Sequence, residues 1–204
     1  TMKKYELTNE TIEYKGKKLY RIKALIDFGN VEKGARGGFV EKEENLSMSG
    51  NAWVCDNARV CDNARVCGDA NVCGDAFVSD NAQVSGDAFV CGNAWVCDNA
   101  RVCGDANVCG NAWVCDNAQV SGDARVSGNA QVSGDARVCG GANVCGDANV
   151  CGDAQVDKSI NYAVIKGFGT CYRSTTFFRC QDKTVKVSCG CFLGTIDEFR
   201  NQVK

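Results

Sequence analysis

The stretch Ala52-Trp53-Val54-Cys55-Asp56-Asn57-Ala58-Arg59-Val60-Cys61-Asp62-Asn63-Ala64-Arg65-Val66 repeats itself every six residues. The triplet Ala-x-Val returns without a miss as far as Ala154-Gln155-Val156, which makes 18 consecutive hexads. In an extended triplet, Ala and Val share one face and x points to the other. Here x is Trp, Arg, Asn, Phe or Gln, so x is expected to face water. The next positions carry Cys or Ser, then mostly Gly, Asp or Asn, types that enter tight left-handed turns at low cost. A three-residue strand with a three-residue corner cannot bury its apolar face alone. Stacked on copies of itself it forms a solenoid in which each rung hydrogen-bonds the next.

Outward from the repeat, the flanks carry their own signals. Tyr5-Glu6-Leu7-Thr8, Leu19-Tyr20-Arg21-Ile22-Lys23-Ala24-Leu25 and Gly37-Gly38-Phe39-Val40 precede it; Gly190-Cys191-Phe192-Leu193-Gly194-Thr195-Ile196-Asp197-Glu198-Phe199 follows. With the hexads, these resemble the YdcK-like branch of hexapeptide-repeat proteins of bacteria and phages, whose members are often labelled acyltransferases. The repeats depart from that branch in carrying Cys where such relatives often have Tyr or Ser. The resemblance implies an all-β fold, a single-stranded left-handed parallel β-helix with three hexads to a triangular coil of 18 residues. Eighteen hexads then make about six regular coils. The expected divisions are an N-terminal cap over residues 1–45, the β-helix over 46–162 and a C-terminal β cap over 163–204.

Within the caps, residues 11–25 read as a hairpin turning at Lys15-Gly16-Lys17. Leu46-Ser47-Met48 and Ile160-Asn161-Tyr162 are in register as degenerate hexads on either side of the repeat. Strands are expected over 162–168, 170–174, 177–181 and 184–188. Thr195-Ile196-Asp197-Glu198 is a capping box that opens a short final helix.

Composition removes several functions. The chain has 204 residues, 16 cysteines, no proline and no histidine. Without histidine there is no Ser-His-Asp triad, no Cys-His pair and no His-ligated metal. Hexapeptide acyltransferases resemble one another in using a histidine base, so acyl transfer is the alternative and a non-enzymatic scaffold the expectation. The net charge of −2 argues against nucleic acid as a partner. No apolar run suits a membrane span, and the first ten residues hold no secretory h-region. A cytoplasmic, reducing location is expected, where thiols stay free.

With 18 residues per coil, residues 18 apart lie one above another. One corner then stacks Cys55, Cys73, Cys91, Cys109, Ser127 and Cys145. A second stacks Cys61, Ser79, Cys97, Cys115, Ser133 and Cys151. The third stacks Cys67, Ser85, Cys103, Ser121, Cys139 and Asp157. Three readings of these ladders stay open: small corner residues that pack, vertical disulfides, or ligands for soft metal ions. A two-coordinate Cu(I)-like ion needs two sulfurs about 4.6 Å apart, close to the strand spacing of about 4.8 Å. Zinc or an iron–sulfur cluster would need two solenoids packed corner to corner. Cys171, Cys180, Cys189 and Cys191 in the C-terminal cap either pack or form one structural zinc site, with Cys171 and Cys180 facing each other across a hairpin at Thr175-Thr176. The outward residues Phe77, Trp95 and Trp113 form an aromatic stack on a flat face. It serves either cross-rung packing or association with a second copy or another partner.

Overall fold

The computed structural model describes residues 3–168 and 172–203. Eighteen two-residue strands, β4 (Trp53–Val54) to β21 (Gln155–Val156), fall on the x-Val positions of the eighteen triplets. Each strand pairs in parallel with the strand three further on, as Val54 with Val72 and Trp95 with Trp113. The offset is 18 residues. Three sheets therefore run along the molecule, of nine, six and six strands, parallel except where two N-terminal hairpin strands extend the first. The result is a three-sided parallel β-solenoid of about seven turns.

The interior follows from the triplet. Alanine and valine of every hexad are shut off from solvent, from Ala52 and Val54 to Ala154 and Val156. Between coils, the amide of one residue donates to the carbonyl 17 positions on, as Trp53 to Ala70 at 3.0 Å and Cys55 to Val72 at 2.9 Å. Nearly every strand residue spends its amide in this ladder, so a proline would break it.

The N-terminal cap is a hairpin of β1 (Tyr5–Tyr14) and β2 (Lys17–Ala24). Its two-residue turn is Lys15-Gly16, both at positive φ, as expected of a hairpin turn. The third strand, β3 (Arg36–Val40), joins cap to solenoid. It runs antiparallel to β2 and places Phe39 and Val40 parallel to Arg59 and Val60. Gly37 and Gly38 allow this junction. A Cβ on Gly37 would lie 2.6 Å from the Val54 carbonyl oxygen, and one on Gly38 2.6 Å from that of Ala58.

Two in-register expectations change at the ends. Leu46, not Met48, occupies the valine place; it bridges Val66 and is buried, while Met48 is 36% exposed. Two extra residues therefore sit between Leu46 and Val54, taken up by a bend where the Ser49 amide donates to the Ser47 hydroxyl. At the other end, Ser159–Asn161 form a turn of 3₁₀-helix, and Ile160 is 86% exposed instead of filling an Ala-like place.

The C-terminal cap is an antiparallel sheet of β22 (Tyr162–Phe168), β23 (Arg173–Arg179), β24 (Val185–Cys189) and β25 (Phe192–Thr195). Helix α1 (Ile196–Gln202) follows, opened by the reciprocal Thr195–Glu198 capping box. The expected break between 174 and 177 is absent. Thr175 and Thr176 lie buried in the middle of β23, and the chain turns instead between Cys180 and Thr184. The Thr176 hydroxyl accepts from the Asn149 amide at 2.9 Å, which fixes the cap to the last coil.

Candidate metal-binding corners

Every corner begins with the Cys or Ser that follows valine and continues into a residue at positive φ. Glycine holds that second place at most corners; Asp56, Asp62, Asp80, Asp98 and Asp116 hold it at five. The thiols stand half-buried beside the turn, and the described cysteines are all free.

The first corner is the most continuous. Cys55, Cys73, Cys91 and Cys109 stand on four consecutive rungs, and the Cys55 thiol donates to the Val72 carbonyl at 3.7 Å. The sulfurs of Cys55 and Cys73 and a carboxylate oxygen of Asp56 lie within 4.8 Å of one another. Burial and nearby negative charge favour the neutral thiols. Cys55 and Cys91 are pushed up to about 11 and Cys73 to about 12, burial being the largest cause. Ser127 interrupts the ladder, and Cys145 beyond it faces the Tyr162 hydroxyl at 3.6 Å.

On the second corner, thiols alternate with carboxylates. Cys61, Cys97 and Cys115 each donate to the aspartate that follows, at 3.2, 3.4 and 3.9 Å. The aspartates are also tied between coils. Asp98 Oδ2 accepts from the Asp116 amide at 3.3 Å, and Asp116 Oδ2 from the Gly134 amide at 2.9 Å. Cys97 and Cys115 stand on neighbouring rungs, close enough for each thiol to shift the other's titration. That pairing holds Cys97 above its ordinary value, with burial adding to it, and holds Cys115 below. Sequence reading took these aspartates as turn formers only. The signal for more was present: Cys-Asp dipeptides at 97–98 and 115–116 are 18 apart.

The third corner brings no thiols together. Cys67, Cys103 and Cys139 are separated by Ser85 and Ser121, so successive sulfurs stand two rungs, roughly 9.6 Å, apart. In the C-terminal cap, Cys180 and Cys189 lie apart, with different neighbours. Cys180 is buried beside Asp153 and Asp182 and is raised to about 11, mainly by burial. Cys189 instead accepts from the Thr175 hydroxyl, 3.1 Å away and opposite it in the sheet. Thr175 and Cys180 are five residues apart along one chain direction, roughly 17 Å when extended. Cys191 lies exposed in the β24–β25 turn, and Cys171 falls outside the described residues. The placement that sequence reading relied on, a hairpin at Thr175-Thr176, is the part that the structure replaces.

The aromatic face is partly covered. Phe77 is 3% exposed, packed edge-on against Tyr14 of the hairpin at 5.0 Å. Lys15 Nζ stands 4.0 Å above the Trp95 ring. Trp95 and Trp113 stack in parallel at 5.0 Å, and Trp113 is 44% exposed. Sequence reading placed all three side chains toward water; the hairpin takes Phe77 and screens Trp95, leaving Trp113.

Fold and corners together define a parallel β-solenoid repeat protein with stacked thiols. Residues 58–74, 82–98, 118–132 and 130–146 match the YdcK beta solenoid repeat, all four segments lying within the hexad array. Over these segments the chain is similar to that repeat. No curated protein matches it. No helix among the described residues is long and apolar enough to cross a membrane.

Proposed function

We propose that the protein is a non-enzymatic, rigid scaffold whose first-corner thiol ladder binds soft, thiophilic ions of the Cu(I) class between successive rungs. The observation that carries this reading is the run of Cys55, Cys73, Cys91 and Cys109 on four consecutive rungs, with the sulfurs of Cys55 and Cys73 within 4.8 Å of each other. Two sulfurs on neighbouring rungs, about 4.8 Å apart at the backbone, suit a linear two-coordinate ion. Thiolates are the ligands, so each binding event releases protons that burial holds firmly.

The same pKa directions weigh against nucleophilic catalysis. A reactive thiol needs positive charge beside it, and these have aspartates and one another. No histidine is present to serve the acyl transfer with which related folds are labelled. Self-association through the aromatic face, the other partner expectation, would rest on Trp113.

The test is an anaerobic titration of reduced full-length protein with Cu(I) against a competing chelator. Stoichiometric uptake that falls by at least half in Cys73→Ser/Cys91→Ser supports the ladder. Equal uptake by wild type and variant, or none by either, contradicts it.

A further inference from the structure

The second corner holds a different constellation. Of the four Cys-Asp dipeptides in the chain, only those at 97–98 and 115–116 lie one coil apart. They bring two thiols and two carboxylates to one edge of two neighbouring rungs. A carboxylate oxygen of Asp98, the sulfur of Cys115 and a carboxylate oxygen of Asp116 lie within 4.8 Å of one another. Cys97 supplies the fourth candidate ligand, its sulfur 3.4 Å from Asp98 Oδ2 and one rung before Cys115.

We propose that Cys97, Asp98, Cys115 and Asp116 form a four-ligand site for one divalent, borderline-soft cation of the zinc class. With metal–sulfur bonds near 2.3 Å and metal–oxygen bonds near 2.1 Å, a tetrahedral S₂O₂ set has sulfur–oxygen edges of about 3.6 Å. The observed pairs within each dipeptide, 3.4 and 3.9 Å, bracket that value. The carboxylates are already oriented, since one oxygen of each holds the amide of the next coil. Two thiolates and two carboxylates carry the same charge as the four thiolates of a Cys₄ zinc site.

A second observation points to a cation on this column. Two coils earlier, Glu41, Cys61 and Asp62 form the matching group, again within 4.8 Å. There the Lys17 ammonium of the N-terminal hairpin pairs with Asp62 and lies 3.9 Å from Glu41. A cationic head thus fills the upper group. The hairpin does not reach Asp98 and Asp116, and among the described residues no basic side chain pairs with either. Binding there moves two thiol protons to solvent and changes no oxidation state. This site is independent of the first-corner ladder in position, ligand set and class of ion.

The test uses Co(II) as the probe on reduced, metal-free, full-length protein under anaerobic conditions. One Co(II) per chain is expected, with a tetrahedral visible spectrum, sulfur-to-metal charge transfer, two protons released and displacement by Zn(II). Asp98→Asn/Asp116→Asn keeps an acceptor for each amide and a residue that tolerates the left-handed turn. It is expected to weaken Co(II) binding at least about tenfold with its thermal melting retained. Cys73→Ser/Cys91→Ser is expected to leave the Co(II) spectrum unchanged while abolishing ladder uptake of Cu(I). Absence of a tetrahedral Co(II) spectrum overturns the site, as does an affinity unmoved by the aspartate pair.

Discussion

At the scale of single residues, the corner decides the chemistry. A small side chain is all that the turn requires, and Ser79, Ser85, Ser121, Ser127 and Ser133 meet that need. At several corners cysteine adds a half-buried proton held above its ordinary value. Cys55, Cys61, Cys73, Cys91 and Cys180 are all raised from 9.0 to about 11 or 12. Between those limits the folded chain binds more protons than the unfolded one, so stability falls as pH rises. Lys4, buried against the Ala52 carbonyl and lowered to about 8, acts in the opposite sense between about 8 and 10.5. The five thiols outweigh the one lysine, so the melting temperature of reduced, chelator-treated protein is expected to fall from about pH 9 through pH 11. A curve that stays level to pH 12 contradicts this, and Cys55→Ser/Cys73→Ser/Cys91→Ser should flatten it. Gly38 gives a second expectation. Gly38→Ala drives a methyl into the Ala58 carbonyl and should lower unfolding free energy by roughly 1–3 kcal/mol in denaturant titration. Cysteine stacking was legible in the 18-residue offset. The metal-ligating potential of Asp98 and Asp116 was not drawn, because aspartate at a corner already has a sufficient reason in the turn.

Elements show where local pattern ends and tertiary context begins. Each hexad strand is two residues long and could be read from its triplet alone. The hairpin β1–β2 was legible as a hairpin, and its turn fell at Lys15-Gly16. Its docking onto the solenoid was not, since nothing local says that Tyr14 reaches Phe77. Tyr14→Ala is expected to lose at least the roughly 0.5–1.5 kcal/mol of that edge-on pair, read as a lower melting temperature. It should also make tryptophan fluorescence easier to quench, through the uncovering of Trp95. The C-terminal cap misled in another way. Thr175-Thr176 follows Tyr172-Arg173-Ser174, a polar run that reads as a turn. Yet β-branched threonines favour extension, and their buried hydroxyls are taken up by Cys189 and the Asn149 amide. Burial with partners decided for strand, and the cap cysteines were separated as a result.

For the whole molecule, stability is a sum of rungs and the interfaces between them. Removing one full coil, residues 121–138, keeps the three faces aligned and returns the C-terminal cap to its own docking surface. That deletion is expected to fold, with a lower denaturation midpoint. Removing a single hexad, residues 121–126, turns the last coil and its cap together by one face and keeps Thr176 on the Asn149 amide, since both lie beyond the deletion. It should therefore lose less stability than the full-coil deletion; the reverse order in a denaturant series contradicts a stability summed over rungs. The overall architecture was the most legible feature of all, because an unbroken period fixes rung, face and corner together. Handing the same period twelve cysteines is what turns a scaffold into an array of stacked thiols.

The central claim concerns what that array holds. X-ray absorption at the copper edge, on anaerobically loaded protein washed with a competing chelator, reads the ligands directly. The account expects retained Cu(I) in a sulfur-only shell, and a loss of that shell in Cys73→Ser/Cys91→Ser. Copper stripped by the chelator, or held by nitrogen and oxygen alone, would contradict it.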